Sequence, residues 1–364
     1  MRGDMPRILA SLALFFFLVP VTFVRGPEPT GNTSQDITLE PIVLDSEDPA
    51  RTKLGQLEFL GGWRMTSDHH QFGGISAMLV MDGNRFFMLS DAGVLIGFTL
   101  NEQDNAAERL FVAPLPDGPA KPNEFARKIW DSESLVHDPE TGQFWVGFED
   151  QHSIWRYGPS FARKEAKRDL AIAKKWPANG GSEAMLRIPG DATKDTQFLI
   201  FSETAPYRKG GTQALIAMAD PAEATTTFKR FGYQAPAGYR ITDAALLPDG
   251  RALILNRRFT PLDGISAIVS IADPTKIKPG TVWDATPIAR LKSPIRVDNM
   301  EALAVTTEGE DIIVWIASDD NFSVVQETLL MKFRLLRGKA KRRSSSPEPE
   351  NEKAEESPGF SSLE

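Results

Sequence analysis

Residues 298–322 read DNMEALAVTTEGEDIIVWIASDDNF. An acidic knot (Asp298, Asn299, Glu301) opens a short apolar run, and a polar turn follows at Glu308-Gly309-Glu310. A second apolar run, 312–317, ends in Ser318-Asp319-Asp320-Asn321. Two short apolar runs parted by a turn predict paired strands rather than a helix. In an antiparallel pair, the start of the first strand and the end of the second share an edge, so Glu301 and Asp319 are expected close together.

The same unit recurs upstream. GISAM at 74–78 leads through Asp82-Gly83-Asn84 to FFMLSDAG, and DSESL at 131–135 leads through Glu140-Thr141-Gly142 to FWVGFED. GSEAM at 181–185 leads to FLIFSE, and ITDAA at 241–245 leads through Asp249-Gly250 to ALILNRR. That makes about five copies, roughly 50 to 60 residues apart. A period of this size marks a propeller, solenoid or array, and strand-rich units favour a β-propeller of four-stranded blades. Two further strands fit in each of the first four periods. The last period has only TLLMKFRLL, and its missing outer strand is available at the front as QLEFLGGWRM, 56–65. The expected fold is therefore all-β: five four-stranded blades, or six if two units are merged here, with the ring closed by strands from both termini.

Composition and ends narrow the setting. A formal net charge of −8 with no basic face argues against nucleic acid. Cysteine is absent, so there is neither a disulfide framework nor a thiol nucleophile. Arg2 and Arg7 precede an apolar run over 8–24, the plan of a secretory signal peptide or, if uncleaved, a signal anchor. Residues 1–26 are read as that segment, 27–53 as a linker and 54–337 as the propeller. Residues 338–364, rich in Ser, Pro and Glu, are read as a disordered polar tail. A periplasmic or secreted location follows, with membrane contact only through the N-terminal segment.

Chemistry is expected at one mouth of the ring. The antiparallel argument gathers a strand-start set (Glu133, Glu183, Asp243, Glu301, with Ser76) and a strand-end set (Asp91, Glu149, Asp150, Glu203, Asp319, Asp320). So many carboxylates repel one another unless a cation compensates, and hard oxygen ligands suit Ca²⁺ or Mg²⁺. The competing reading is that these acids cap turns. Arg257 and Arg258 fill the strand-end slot that holds acids elsewhere, with Arg240 and Arg296 before strand starts. Guanidinium forks bind phosphate or carboxylate. The four histidines, His69, His70, His137 and His152, form no Ser-His-Asp arrangement.

These motifs, above all DNMEALA with SDDNFSVVQETLL and then DGRALILNRR, resemble the phytase-like domain family, also described by an esterase-like activity of phytase. Ala302 stands where that family more often has Gly, and Asp320 where it has Asn. The resemblance implies a bacterial, exported propeller and a Ca²⁺-dependent hydrolase of phosphate or carboxylate esters. Glu133, Glu183, Glu301 and Asp319 would hold the metal, with Asp91, Glu149 and Glu203 assisting. The catalytic set would be Glu301, Arg257 and Arg258, with water activated by the cation. A non-catalytic propeller binding a small anionic ligand or a protein at the same mouth is the alternative.

Overall fold

A computed structural model describes residues 33–118 and 130–336. The chain opens with β1 (Thr38–Pro41), β2 (Lys53–Leu54) and β3 (Leu57–Thr66). Blade one is β4 (Ile75–Met81), β5 (Arg85–Ser90), β6 (Val94–Asn101) and β7 (Ala106–Pro114). Blade two is β8 (Ser132–His137), β9 (Phe144–Phe148), β10 (Ser153–Tyr157) and β11 (Lys164–Asp169). Blade three is β12 (Ser182–Ile188), β13 (Gln197–Pro206), β14 (Thr212–Ala217) and β15 (Phe228–Gln234). Blade four is β16 (Arg240–Leu246), β17 (Ala252–Thr260), β18 (Gly264–Ala272) and, after β19 (Val282–Asp284), β20 (Thr286–Lys292). Blade five is β21 (Asn299–Glu308), β22 (Asp311–Asp319) and β23 (Thr328–Leu335), completed by β3. The fold is a five-bladed β-propeller.

Each blade is an antiparallel meander, and its first strand lies against the first strands of both neighbours, so β4, β8, β12, β16 and β21 line the axis. Five apolar cores sit one between each pair of adjacent blades. Strand alternation supplies them: in β22, Ile313 and Trp315 face blade one while Val314 and Ile316 face blade four. Trp315 meets Phe86 edge-on at 4.9 Å between ring centroids. All seven tryptophans are buried, in keeping with packing between blades.

Ring closure follows the expected plan. β3 pairs with β23 from Leu57↔Leu335 to Met65↔Thr328. The linker reading of 27–53 needs correction, because β1 pairs with β3 and, through Thr38↔Ala106, with β7. It spans the outer edges of blades five and one and buries Leu39 in the core between them, but four residues are too few to show an alternation in the sequence. A second departure is β19, which adds a parallel fifth strand to blade three on its way through blade four. Residues 1–26 and 338–364, read as targeting segment and tail, lie outside the described residues. No helix among the described residues is long and apolar enough to cross a membrane.

Candidate functional site at the channel mouth

One irregularity repeats in all five innermost strands. In β4, Ile75 pairs with Ser90 and Ala77 with Leu89, leaving Ser76 over. The same single-residue slip leaves out Glu133 in β8, Glu183 in β12, Thr242 in β16 and Glu301 in β21. Such a β-bulge frees one residue from the ladder and re-aims its side chain. The two hydroxyls tie neighbouring blades together: Ser76 Oγ donates to Ser132 O at 2.6 Å and Thr242 Oγ1 to Met300 O at 3.1 Å. The three glutamates cannot donate when ionised, and they line the pocket.

The second strand of each blade supplies the facing slot. The residue after the last partner of each bulged pair is Asp91, Glu149, Glu203, Arg257 and Asp319 in blades one to five. These five, with Ser76, Glu133, Glu183 and Glu301, line a cavity of about 130 Å³, joined by Asn179 and Asn321. Nine of the ten repeated slots thus open into one space, and Thr242 is the exception. Asn299 Nδ2 donates to Glu301 Oε1 at 2.8 Å and reaches Asp319 Oδ2 at 3.3 Å, so the two acids expected to meet are joined through one amide. Glu149 Oε1 accepts the Gly181 N–H at 2.8 Å. A side chain at Gly181 would drive its Cβ within 2.9 Å of Glu149 O, so the approach depends on glycine.

The family model whose description is phytase-like, esterase-like activity of phytase, matches residues 70–322, nearly all of the ring and every acid in the cavity. This chain belongs to the phytase-like family. No curated protein matches it. Among solved structures, the phytase-like protein is similar to the α-L-arabinofuranosidase PaAbf62A of Podospora anserina, at 11% identity and a TM-score of 0.43, covering 77% of this chain and 97% of that one. The Cps50 (Swd1) β-propeller domain of Myceliophteria thermophila gives 7%, 0.36, 72% and 96%. Hydrazine synthase of Kuenenia stuttgartiensis gives 12% and 0.34, with 68% of this chain covering 57% of that one.

Electrostatics in the phytase-like pocket are severe, since seven carboxyl groups face one guanidinium. Burial pushes Glu133, Glu183 and Asp319 well above the usual carboxylate range, and neighbouring acids push further: Glu183 on Glu133, Glu203 on Glu183, Asp91 on Asp319. Glu149 is raised to about 9 by burial and by Asp131. Glu301 is raised only to about 7, because Arg257 opposes the effect of burial. Asp131, Glu133 and Glu149 each offer an oxygen within 4.8 Å of the others, a cluster able to hold a metal. Asp131 belongs to neither acid set expected from the sequence. The signal was there in the first letter of DSESL, but Asp131 precedes the strand and enters through a left-handed turn, φ 35°.

The mouth excludes several expected members. Asp243 accepts the N–H groups of Ala244 at 2.8 Å and Leu303 at 2.7 Å, which makes it a clamp between blades four and five. Asp320 accepts Gly74 N at 3.0 Å, Phe322 N at 2.9 Å and the Thr328 hydroxyl at 3.0 Å. Asp150 is exposed and outside the lining. Arg258, expected beside Arg257, falls on the opposite side of β17 because successive strand residues alternate. It bonds Asp263 at 3.0 Å and lies 5.0 Å from the Tyr239 ring centroid. Arg296 bonds Glu327 at 2.5 and 2.7 Å, away from the lining.

Proposed function

We propose that this phytase-like protein is an exported hydrolase of phosphate or carboxylate esters that works with a divalent cation, Ca²⁺, at the channel mouth. What carries the reading is the convergence of seven carboxyl groups and Arg257 on one cavity from slots repeated in every blade. The donor set fits the ion. Buried acids held far above their usual range favour neutralisation, and a bound cation supplies it without protons. An all-oxygen set of many carboxylates suits Ca²⁺, which takes about six to eight oxygens, better than Mg²⁺, which keeps its waters.

Asp131, Glu133 and Glu149 would hold the cation, with Asp91 and Glu183 beside them. Glu203 is the least available acid, being bonded by Arg240 at 3.3 Å and Arg257 at 3.4 Å. When bound, the cation would supply Lewis acidity toward an ester oxygen. Arg257 would orient the oxyanion of the substrate with its planar fork, and Glu301, titrating near neutrality, would accept or return a proton. Arg258 drops out of this scheme because of its place on β17. The N-terminal segment would direct the protein to the periplasm or outside.

A non-catalytic propeller that binds an anionic ligand at the same mouth is the second reading. In its favour, the one hydroxyl in the lining, among the described residues, is Ser76, which is bonded to backbone carbonyls at 2.6 and 3.2 Å. The test is a thermal melt with chelator and then with Ca²⁺ restored, followed by turnover of aryl phosphate and carboxylate esters. An upward shift with turnover that Glu301→Gln removes supports the hydrolase. A shift without turnover supports the binder. No shift at millimolar Ca²⁺ removes the cation from both.

A further inference from the structure

Arg240 and Arg257 are directly opposed across the β16–β17 ladder. Like charges so placed are unfavourable unless an anion intervenes. Glu203 of blade three is that anion: its Oε2 takes Arg240 Nη1 at 3.3 Å and its Oε1 takes Arg257 Nη2 at 3.4 Å. On the other side, Arg257 Nε lies 3.2 Å from Glu301 Oε1. Among the described residues, Arg257 is the only cationic side chain lining the cavity, and it is ion-paired with two carboxylates. In this arrangement an incoming oxyanion must displace a carboxylate and enter a field of seven acids. A divalent cation changes both terms, because it lowers the negative potential and repels the guanidinium, loosening its hold on the two carboxylates.

We propose that Arg257 is a two-position switch that makes oxyanion capture conditional on cation loading. In the first position it bridges Glu203 and Glu301. With the cation in place its fork turns to the oxyanion. This inference rests on the cation reading above and adds an order of binding to it. Coupling between the two ligands must then be reciprocal.

The experiment is calorimetric titration of the full chain with Ca²⁺ alone, methylphosphonate alone, and each at saturation of the other, at mildly alkaline pH. Methylphosphonate presents a phosphate-like oxyanion with no ester bond to break. In the unaltered protein each ligand should tighten the other by the same factor, roughly tenfold or more. Arg257→Gln should bind Ca²⁺ more tightly than the parent in the absence of methylphosphonate, and should lose the coupling. Glu203→Gln, which frees one side of the guanidinium, should gain methylphosphonate affinity without Ca²⁺, and it stands in if Arg257→Gln does not fold. Ca²⁺ binding in the parent with methylphosphonate affinity indifferent to it would overturn the switch alone. So would unchanged coupling in Arg257→Gln. No Ca²⁺ binding to the parent would instead overturn the cation reading on which the switch depends.

Discussion

Glu149 and Glu301 give the mouth a pH dependence of defined sign. Their carboxyl groups titrate at about 9 and about 7 in the folded protein, above the ordinary 4.5. From 4.5 up to each folded value the folded chain holds a proton that the unfolded chain has released, so stability falls as pH rises. The contribution is complete below the unfolded value and is gone once pH has passed the folded one. Urea melts in chelator should therefore give a lower midpoint at pH 9 than at pH 5. Saturating Ca²⁺ should flatten or invert that trend, since it favours the ionised forms. Asp243 offers a contrasting case at the same scale. Its carboxyl is also raised by burial, but two backbone N–H groups oppose the shift. Asp243→Ala leaves the Ala244 and Leu303 N–H groups without their acceptor and should cost about 1–3 kcal/mol. Its Ca²⁺ affinity should stay within twofold or so of the parent, whereas Glu133→Gln should weaken Ca²⁺ binding with little loss of stability in chelator. Calorimetry and urea melts of the two variants separate a clamp from a ligand.

At the scale of elements, ring closure hangs on β3. Its Leu57, Trp63 and Met65 are buried and contribute to the two cores that flank blade five. A chain lacking residues 1–66 loses these side chains and leaves β23 as an open edge, a template for association. It should aggregate or unfold without a cooperative transition, while a chain lacking 1–36, which keeps β1, should melt like the parent; circular dichroism melts decide. The strand is legible in QLEFLGGWRM because the closing blade is one strand short and this ten-residue run precedes the first unit. β1 was illegible because TLEP has no periodicity to read and depends on partners at both edges. The bulges were hidden for a related reason. A bulge is a property of two strands in register, and Ser-Glu-Ala within β12 alternates normally when read alone. The acids are legible from their place in the repeat, but whether each points into the channel depends on that extra residue. Thr242, not Asp243, holds the bulge of blade four, and the one-residue difference turns a pocket acid into a clamp. Arg257 and Arg258 show the same sensitivity on the facing strand.

Across the whole molecule the mouth is lopsided. Blades one, two, three and five offer acids to the cavity, and blade four offers Arg257, backed by Arg240 at the rim. Glu203 and Glu301 are engaged by these arginines, and the cluster able to hold a metal is Asp131, Glu133 and Glu149 of blade two. A cation held there would sit on a blade that does not adjoin blade four in the ring. Because a ligand that binds only the folded state stabilises it by mass action, Ca²⁺ at a hundredfold excess over its dissociation constant should add about 2.7 kcal/mol. For a domain this large that is a rise of several degrees in Tm. Glu133→Gln should remove most of the rise, Glu203→Gln should retain it, and Arg258→Gln, off the cavity, should leave it unchanged. Equal losses from Glu133→Gln and Glu203→Gln would mean that the ion sits on the channel axis and is shared by all the acids. The ring would then act as a symmetric cage rather than as a cation site on one side and an oxyanion site on the other.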